Sequence, residues 1–318
     1  MQQLNDFFKV VQQRVNACMQ EKLAQMPSEP ASLKEAMHYA LLLGGKRARP
    51  YLVYATGQAY AASLKDLDYV AAAIECIHSY SLIHDDMPEM DNDTLRRGQP
   101  TVHAKFGPAT ALLAGDTLQA LAFDFLTDER CHIADEVKAR LCGTLARAAG
   151  FTGMCGGQAL DLLAEHQHLE QDALEHLHAL KTGALITAAV QMGYMAARYE
   201  DAHNNSTGDV IGLTLGFVER PQVSRDLEHL TTYGKKVGLA FQVWDDVLDV
   251  EGDTAVLGKT VGSDEAHDKS TYVSLLGLEN AKAYAQKLSA EAQAALKELK
   301  VPMPLLEQFA QFCVSRDH

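Results

Sequence analysis

The chain has 318 residues, of which 47% are hydrophobic, so it is long enough to bury a large core in one or two domains. Its net charge of −14 argues against non-specific nucleic-acid binding, and no apolar run reaches the length of a membrane span. The six cysteines are scattered without a CxxC pair, which argues against structural zinc and a disulfide framework and favours a reducing, cytoplasmic location.

Apolar residues recur at helical spacing along almost the whole chain, and the period-two alternation of half-buried strands is nearly absent. We therefore predict an all-α fold, in which residues 1–318 form a single domain, a bundle of about ten helices. Residues 200–225 are a candidate surface insertion. The predicted helices cover residues 4–25, 32–43, 68–84, 108–126, 134–150, 171–196, 226–250 and 272–299. Helix-breaking segments separate them at 27–30, 44–50, 92–107 and 155–157.

The first segment with a chemical signature is GGKRARP, residues 44–50. Glycine lets the backbone approach a ligand closely, and cationic side chains bind phosphate oxygens. Lys46 and Arg49 are therefore candidate ligands of an anion. An ordinary basic loop is the alternative, and pairing with a nearby acid is plausible for Arg47.

An acidic cluster, DDMPEMD at residues 85–91, follows the apolar segment AAAIECIHSYSLIH. Pro88 disfavours a continuous helix, so we predict that the helix ends near Asp86 and that a turn brings Asp91 back towards Asp85. Carboxylates at this density repel one another, and a hard cation such as Mg²⁺ offsets the repulsion. A solvated acidic loop is the alternative.

Side chains on both sides of this cluster could act with it. His78 lies seven residues before Asp85, near the same helical face, although a histidine in such a position is often only a satisfied core residue. Arg96 and Arg97 follow the cluster within a few residues, and arginine binds phosphate through paired hydrogen bonds. These positions suggest an anionic ligand beside the cation.

A second acidic cluster lies at the end of the apolar run GLAFQVW. Asp245 and Asp249 are one helical turn apart, where like charges destabilise a helix next to the core, so a ligand role is favoured over a solvated face. Gln242 is a polar group in an apolar run and needs a partner. Upstream, Lys-Thr-Gly at 181–183 places a glycine inside a helical pattern, which predicts a local distortion that exposes a carbonyl; a plain helix junction is the alternative.

Taken in order, these segments resemble the trans-isoprenyl diphosphate synthases, and among them the bacterial farnesyl diphosphate synthases. The matching sequences are GGKRARP (44–50), ECIHSYSLIHDDMPEMDNDTLRRG (75–98), GDTLQALAF (115–123), MCGGQALDL (154–162), KTGAL (181–185), GLAFQVWDDVLDV (238–250) and LGKTVGSDEAHDKSTY (257–272). The resemblance implies an isoprenoid-synthase fold with a central cavity, usually a homodimer, that uses Mg²⁺, with three ions when diphosphate is bound. It implies condensation of dimethylallyl and then geranyl diphosphate with isopentenyl diphosphate to give farnesyl diphosphate.

The resemblance also implies a role for each matching residue. Mg²⁺ is expected at Asp85 and Asp91, supported by Asp86, and at Asp245, with Asp249 nearby. The allylic diphosphate is expected at Arg96, Lys181 and Lys259, with assistance from Lys269, and isopentenyl diphosphate at Lys46, Arg49, His78 and Arg97. Thr182, Gln242 and the carbonyl of Lys181 are expected to face the developing carbocation.

Product length is expected to depend on Tyr80, with Ser81 beside it. Tyr80 lies about 7.5 Å along the helix before Asp85 but about 140° away around it, so its blocking role rests on the resemblance, and core packing is the alternative. Geranylgeranyl diphosphate synthesis is a competing function, against which Tyr80 argues. A non-catalytic partner subunit is another, against which the complete set of charged positions argues. Trp244 is bulkier than is usual in relatives and either reshapes the cavity or packs.

Overall fold

The structure, a computed structural model, describes residues 2–165, 167–204, 221–251 and 270–316. Its helices are α1 (Gln2–Gln25), α2 (Ala31–Leu42), α3 (Ala48–Ala59), α4 (Leu64–Asp85), α5 (Val102–Phe106), α6 (Pro108–Thr127), α7 (Asp135–Ala149), α8 (Met154–Leu163), α9 (Gln171–His178), α10 (Ala184–Asn204), α11 (Pro221–Glu251), α12 (Tyr272–Leu276), α13 (Leu278–Lys297) and α14 (Pro304–Cys313). A π-helical turn (Ala179–Gly183) joins α9 to α10, and a short antiparallel hairpin of β1 (Leu95–Arg96) and β2 (Gln99–Pro100) follows α4. The predicted all-α fold is confirmed.

The burial pattern separates surface helices from a central one. On α1 the buried side chains are spaced three or four residues apart, as on a helix with one apolar face. By contrast, α4 is buried on nearly every face between Val70 and Ile77, and it packs against α1, α3, α6 and α10. Helix α4 therefore runs through the middle of the bundle, and the first acidic cluster begins at its last residue.

The turn after α4 has the predicted form. The helix ends at Asp85, and the backbone N–H of Asp91 donates a hydrogen bond to the carbonyl of Asp85 across 2.9 Å. The hairpin that follows turns at Arg97 and Gly98, whose φ values of 54° and 71° are those of a tight two-residue β-turn. Both arginines after the cluster are thereby folded back towards α2 and α4.

The predicted helix break at 155–157 was wrong, and the break at 44–50 ends earlier than predicted. Helix α3 begins at Ala48, inside GGKRARP, and α8 runs through the glycines of 155–157. Gly157 allows close packing, because a Cβ there would lie 2.2 Å from the backbone nitrogen of Lys181 in the π turn. Gly157 therefore lets α8 approach the π turn without ending the helix.

Two predicted helices are divided, and four helices were missed. The predicted 171–196 helix is α9, the π turn and α10, which confirms the distortion expected at 181–183. The predicted 272–299 helix is split into α12 and α13 at Gly277, whose φ is 79°. Helices α3, α5, α8 and α14 had not been predicted.

Two hydrophobic clusters form the core. The larger contains residues of α1–α8, α10, α11, α13 and α14, and the smaller contains residues of α9, α11, α12 and α13. Trp244 packs against the smaller cluster, and its indole N–H donates to the carbonyl of Arg316 across 3.0 Å, so packing explains this residue. In the part of the chain that the structure describes, no helix is both long and apolar enough to cross a bilayer. Of the candidate insertion at 200–225, residues 205–220 lie outside the described residues.

Candidate active site

A cavity of about 660 Å³ is bounded by α4, α6, α8 and the π turn. Much of its wall is apolar, from side chains such as Leu112, Met154 and Leu162. A mostly apolar cavity with a few convergent polar groups is the usual form of a small-molecule site. It brings together seven of the predicted site residues: Arg49, His78, Tyr80, Ser81, Asp85, Lys181 and Thr182.

Asp85 is the acidic group of the large cavity that is best suited to bind a cation. Burial, together with the charge of Asp91, raises the pKa of its carboxyl to about 6, although Lys181 lowers it. Among the described residues, no side chain or backbone group donates a hydrogen bond to this carboxylate. A charge that is costly and unsatisfied in the free protein is what a bound cation relieves.

The donor set fits Mg²⁺ rather than a metal that needs a protein cage. The described ranges contain no cluster of three or more His, Cys, Asp and Glu side chains placed to hold a metal ion. Mg²⁺ typically uses only one or two protein carboxylates and completes its shell with water and substrate phosphate. Asp85 and Asp91 could supply those carboxylates.

Asp86 and Arg96 bind each other. Asp86 is 2% exposed, and Arg96 donates to its Oδ1 from Nε at 2.9 Å and from Nη2 at 2.6 Å. This ion pair lies in a small pocket between α2, α4 and the hairpin, apart from the large cavity. Asp86 therefore holds Arg96, whose pKa is raised by this carboxylate in spite of burial. The supporting role of Asp86 at the metal site stays a prediction.

The cation group, defined as Lys46, Arg49, His78 and Arg97, brings basic side chains close enough to lower one another's pKa. The Nε of Arg49 is buried without a hydrogen-bond partner among the described residues. Burial, together with the charges of Arg316 and Arg97, lowers the pKa of Lys46 to about 8. Burial, together with the charges of Arg49 and Arg97, also lowers the pKa of His78 well below its usual range. An anion bound here would satisfy these groups.

Arg47 has a different part from its neighbours. It is 3% exposed and donates to Glu75 across 2.6 Å, to Asn16 across 3.0 Å and to the carbonyl of Leu41 across 2.5 Å. The pairing with an acid that the sequence made plausible for Arg47 is therefore observed. Arg47 anchors the start of α3, whose second residue, Arg49, lines the cavity wall.

Lys181 lies between two cavities. It lines the large cavity and also a second one of about 160 Å³, which Gln242 and Asp246 line from α11. Its Nζ lies 2.6 Å from a carboxylate oxygen of Asp161 on α8, so the ammonium group is held in place. This position connects the first acidic cluster with the helix that carries the second.

A chain of hydrogen bonds fixes the polar groups behind the π turn. Thr182 donates its hydroxyl hydrogen to Oε1 of Gln242 across 3.2 Å, and Nε2 of Gln242 donates to Asp246 across 3.2 Å. The backbone N–H of Tyr272 donates to the other oxygen of Asp246 across 2.8 Å. Gln242 thus has the partners that its place in an apolar run requires, and Asp246 serves as their anchor.

The aspartates of the second acidic cluster lie outside the large cavity, unlike Asp85. Asp245 is partly exposed, and its Oδ1 accepts a hydrogen bond from Nη2 of Arg316 across 2.6 Å. Asp249, one turn later, is 3% exposed. Neither side chain lines the large cavity. Lys259 and Lys269, which were also expected to bind diphosphate, lie outside the described residues.

Sequence reasoning missed several residues of this site. Cys155, Gln158, Ala159 and Leu162 line the large cavity at the i, i+3, i+4, i+7 spacing of one helical face. That signal was present in MCGGQALDL but was hidden by the interpretation of its glycines as a break. Arg316 left no local signal, because its partner Asp245 is 71 residues away in the sequence.

Comparison with known proteins identifies the family. The family profile described as polyprenyl synthetase matches residues 30–301. The chain belongs to the polyprenyl synthetase family. The farnesyl diphosphate synthase of Escherichia coli is 47% identical over 308 residues, 96% of each protein, and that of Haemophilus influenzae is 48% identical over the same shares.

Solved structures of polyprenyl synthetases agree with this assignment. A farnesyl/geranylfarnesyl diphosphate (FPP/GFPP) synthase from Zymomonas mobilis, 38% identical, matches with a TM-score of 0.82 over 98% of this chain and 99% of its own. A geranyltransferase from Helicobacter pylori, complexed with magnesium and isoprenyl diphosphate, is 34% identical and matches with a TM-score of 0.77 over 97% and 95%. The resemblance to bacterial farnesyl diphosphate synthases is confirmed.

Proposed function

We propose that this chain is a Mg²⁺-dependent trans-prenyltransferase that makes farnesyl diphosphate. It condenses dimethylallyl and then geranyl diphosphate, head to tail, with isopentenyl diphosphate. The observation that carries the proposal is the large cavity, which has charged groups such as Asp85 and Lys181 at one part of its wall and an apolar interior that Tyr80 borders. The family and the bacterial relatives named above support the same reaction.

The protein's own groups act on the allylic substrate. Bound Mg²⁺, held by Asp85 and Asp91 and by Asp245 with Asp249 nearby, would stabilise the negative charge on the departing diphosphate. Lys181, which lines the large cavity, adds positive charge at the leaving group. The same role for Arg96 rests on the resemblance, and each of the two is held by a carboxylate. Three ions, and contacts from Lys259 and Lys269, are parts of the proposal that rest on the resemblance.

The carbocation that remains needs nearby oxygen atoms. Thr182 gives its hydroxyl hydrogen to Gln242, which leaves the lone pairs of its oxygen for the cation. Isopentenyl diphosphate, bound by the cation group, attacks with its double bond, and the proton that leaves passes to the released diphosphate. The new prenyl chain extends along the apolar wall.

A product assay tests this function. The protein is incubated with labelled isopentenyl diphosphate, dimethylallyl diphosphate and Mg²⁺, and the dephosphorylated products are separated by length. We expect a dominant C15 alcohol, and no incorporation when a chelator removes the metal. A dominant C20 alcohol would retain the reaction but reject the limit set by Tyr80. Failure of the complete mixture to incorporate label would contradict the proposal and favour a non-catalytic subunit.

Two further features of the family are proposed for this chain, a homodimeric state and a cytoplasmic location. Helices α6 and α8, which both border the large cavity, expose Leu113 and Leu163, and Phe151 just before α8 is 92% exposed. A contiguous exposed apolar patch commonly marks a subunit interface, and we propose that these three side chains belong to one. The six cysteines are all unpaired, which agrees with a reducing compartment.

Light scattering after size-exclusion chromatography tests the homodimer. We expect a mass twice that of one chain. Leu163→Glu places a charge at the proposed interface and should give the mass of a single chain, whereas Leu64→Glu, at an exposed leucine on α4, should leave the dimer intact. A single-chain mass for the unmodified protein would contradict the homodimer.

A further inference from the structure

The Tyr80 side chain is held at both of its ends. Its ring stands edge-on to the ring of His84, with centroids 5.5 Å apart and an interplanar angle of 79°. Its hydroxyl oxygen lies 3.1 Å from Sγ of Cys155, which comes from α8. Tyr80, His84 and Cys155 all line the large cavity, so this contact spans it from α4 to α8.

His84 is itself fixed against α6. Its Nε2 lies 3.2 Å from the carbonyl oxygen of Leu112. A Cβ added to Gly115 would lie 2.1 Å from the same Nε2, so the ring occupies space that only a glycine leaves open. Tyr80 is therefore supported from α6 through His84 and from α8 through Cys155.

We infer that Cys155 is a second determinant of product length, because its hydrogen bond with Tyr80 holds the tyrosine ring across the path of the growing prenyl chain. This inference rests on the proposed function. A tyrosine bound only through its own helix could rotate aside as the product lengthens, whereas one bonded to the facing helix must first break that bond. Burial keeps the pKa of the Tyr80 phenol above its usual value, so the hydroxyl retains the hydrogen that it can donate to sulfur.

Four variants of the full-length protein test the bond separately from the volume of the side chains. Cys155→Ala removes the sulfur, Tyr80→Phe removes only the hydroxyl, and Cys155→Ser replaces the thiol with another group that can form the bond. The double variant Cys155→Ala with Tyr80→Phe completes a mutant cycle. The measurement is the ratio of C20 to C15 product made from geranyl diphosphate and excess labelled isopentenyl diphosphate with Mg²⁺, together with the total label incorporated.

We expect each single loss of the bond to raise the C20 to C15 ratio roughly two- to tenfold, the range that one neutral hydrogen bond supplies. The double variant should show no more than the larger single effect, and Cys155→Ser should stay near the wild-type ratio. Cys142→Ala is the matched control, because Cys142 is half-buried on α7 and does not line the cavity.

Three results would overturn the inference: an unchanged ratio in Cys155→Ala, an equal shift in Cys155→Ser, or additive effects in the double variant. In each of these the total incorporated label would still show an active prenyltransferase. Absence of incorporation by the wild-type protein would instead overturn the proposed function, and the inference with it.

Discussion

The Asp85→Asn variant is expected to lose at least about 100-fold in kcat, while its thermal stability stays equal to that of the unmodified protein or rises. The loss follows because a metal ligand contributes several kcal/mol to the transition state, and each 1.4 kcal/mol is about tenfold in rate. The stability is retained because Asp85 receives no hydrogen bond from the described residues, so an amide of the same shape breaks none.

The pH dependence of stability distinguishes this explanation from simple unfolding. The carboxyl pKa is about 6 in the folded protein against an ordinary value of 3.8, so the folded state binds this proton more tightly than the unfolded state. Below pH 4 Asp85 is therefore protonated and does not lower the free energy of unfolding of the metal-free protein. As the pH rises through 6, its negative charge lowers that free energy progressively, by up to on the order of 2–3 kcal/mol. Asp85→Asn should be the more stable protein at pH 7, and the difference should disappear near pH 4.

The measurements are steady-state kinetics with saturating Mg²⁺ and melting curves in a chelator at both pH values. Asp6→Asn is the control, since Asp6 is an exposed aspartate of α1, a helix that does not line the large cavity. An active Asp85→Asn enzyme would remove Asp85 from the metal site. A variant that is inactive and also melts well below the unmodified protein would give Asp85 a structural role instead.

Arg49→Gln is expected to weaken substrate binding, and Arg47→Gln is expected to destabilise the fold. Arg49→Gln should raise KM for isopentenyl diphosphate about 10- to 100-fold, the value of a charged hydrogen bond, and leave stability unchanged or higher, because the Nε of Arg49 has no partner to lose among the described residues. Arg47→Gln should lower the free energy of unfolding by about 3–5 kcal/mol, because Glu75 would remain buried without its partner.

Denaturant unfolding and substrate-saturation curves on both variants provide the check. The KM for geranyl diphosphate is the internal control, because Arg49 is assigned to the other substrate. If Arg49→Gln raised both KM values equally, or if Arg47→Gln were as stable as the unmodified protein, the division of roles between the two arginines would be wrong.

The features that could be predicted from sequence were those with local causes. The proline at 88 interrupts the helix, and the chain turns back from Asp85 to Asp91 as expected. A glycine in the 181–183 segment predicted a distortion, which the structure shows as a π turn. In both cases the decisive residue acts on its own backbone.

The features that could not be predicted depend on contacts between distant segments. Gly157 is also a glycine in a helical pattern, but the helix continues through it. This glycine is needed because the backbone of Lys181, 24 residues later, packs directly against it. Arg96 is of a type that binds a diphosphate, but the sequence did not show that the fold pairs it with Asp86. A sequence shows which side chains can bind phosphate, but the packing determines which of them first meet a carboxylate of the protein itself.

Each acidic cluster has one aspartate paired with an arginine, and this pairing has a consequence for how a newly synthesised chain folds. Arg96 neutralises Asp86, and Arg316 neutralises Asp245, so one carboxylate in each cluster has its counterion within the fold. Zinc fingers are unfolded until their metal arrives, because nothing else holds their ligands together. We therefore expect a newly synthesised chain of this protein to fold in the absence of magnesium, and the proposed ions to bind later, together with the substrate.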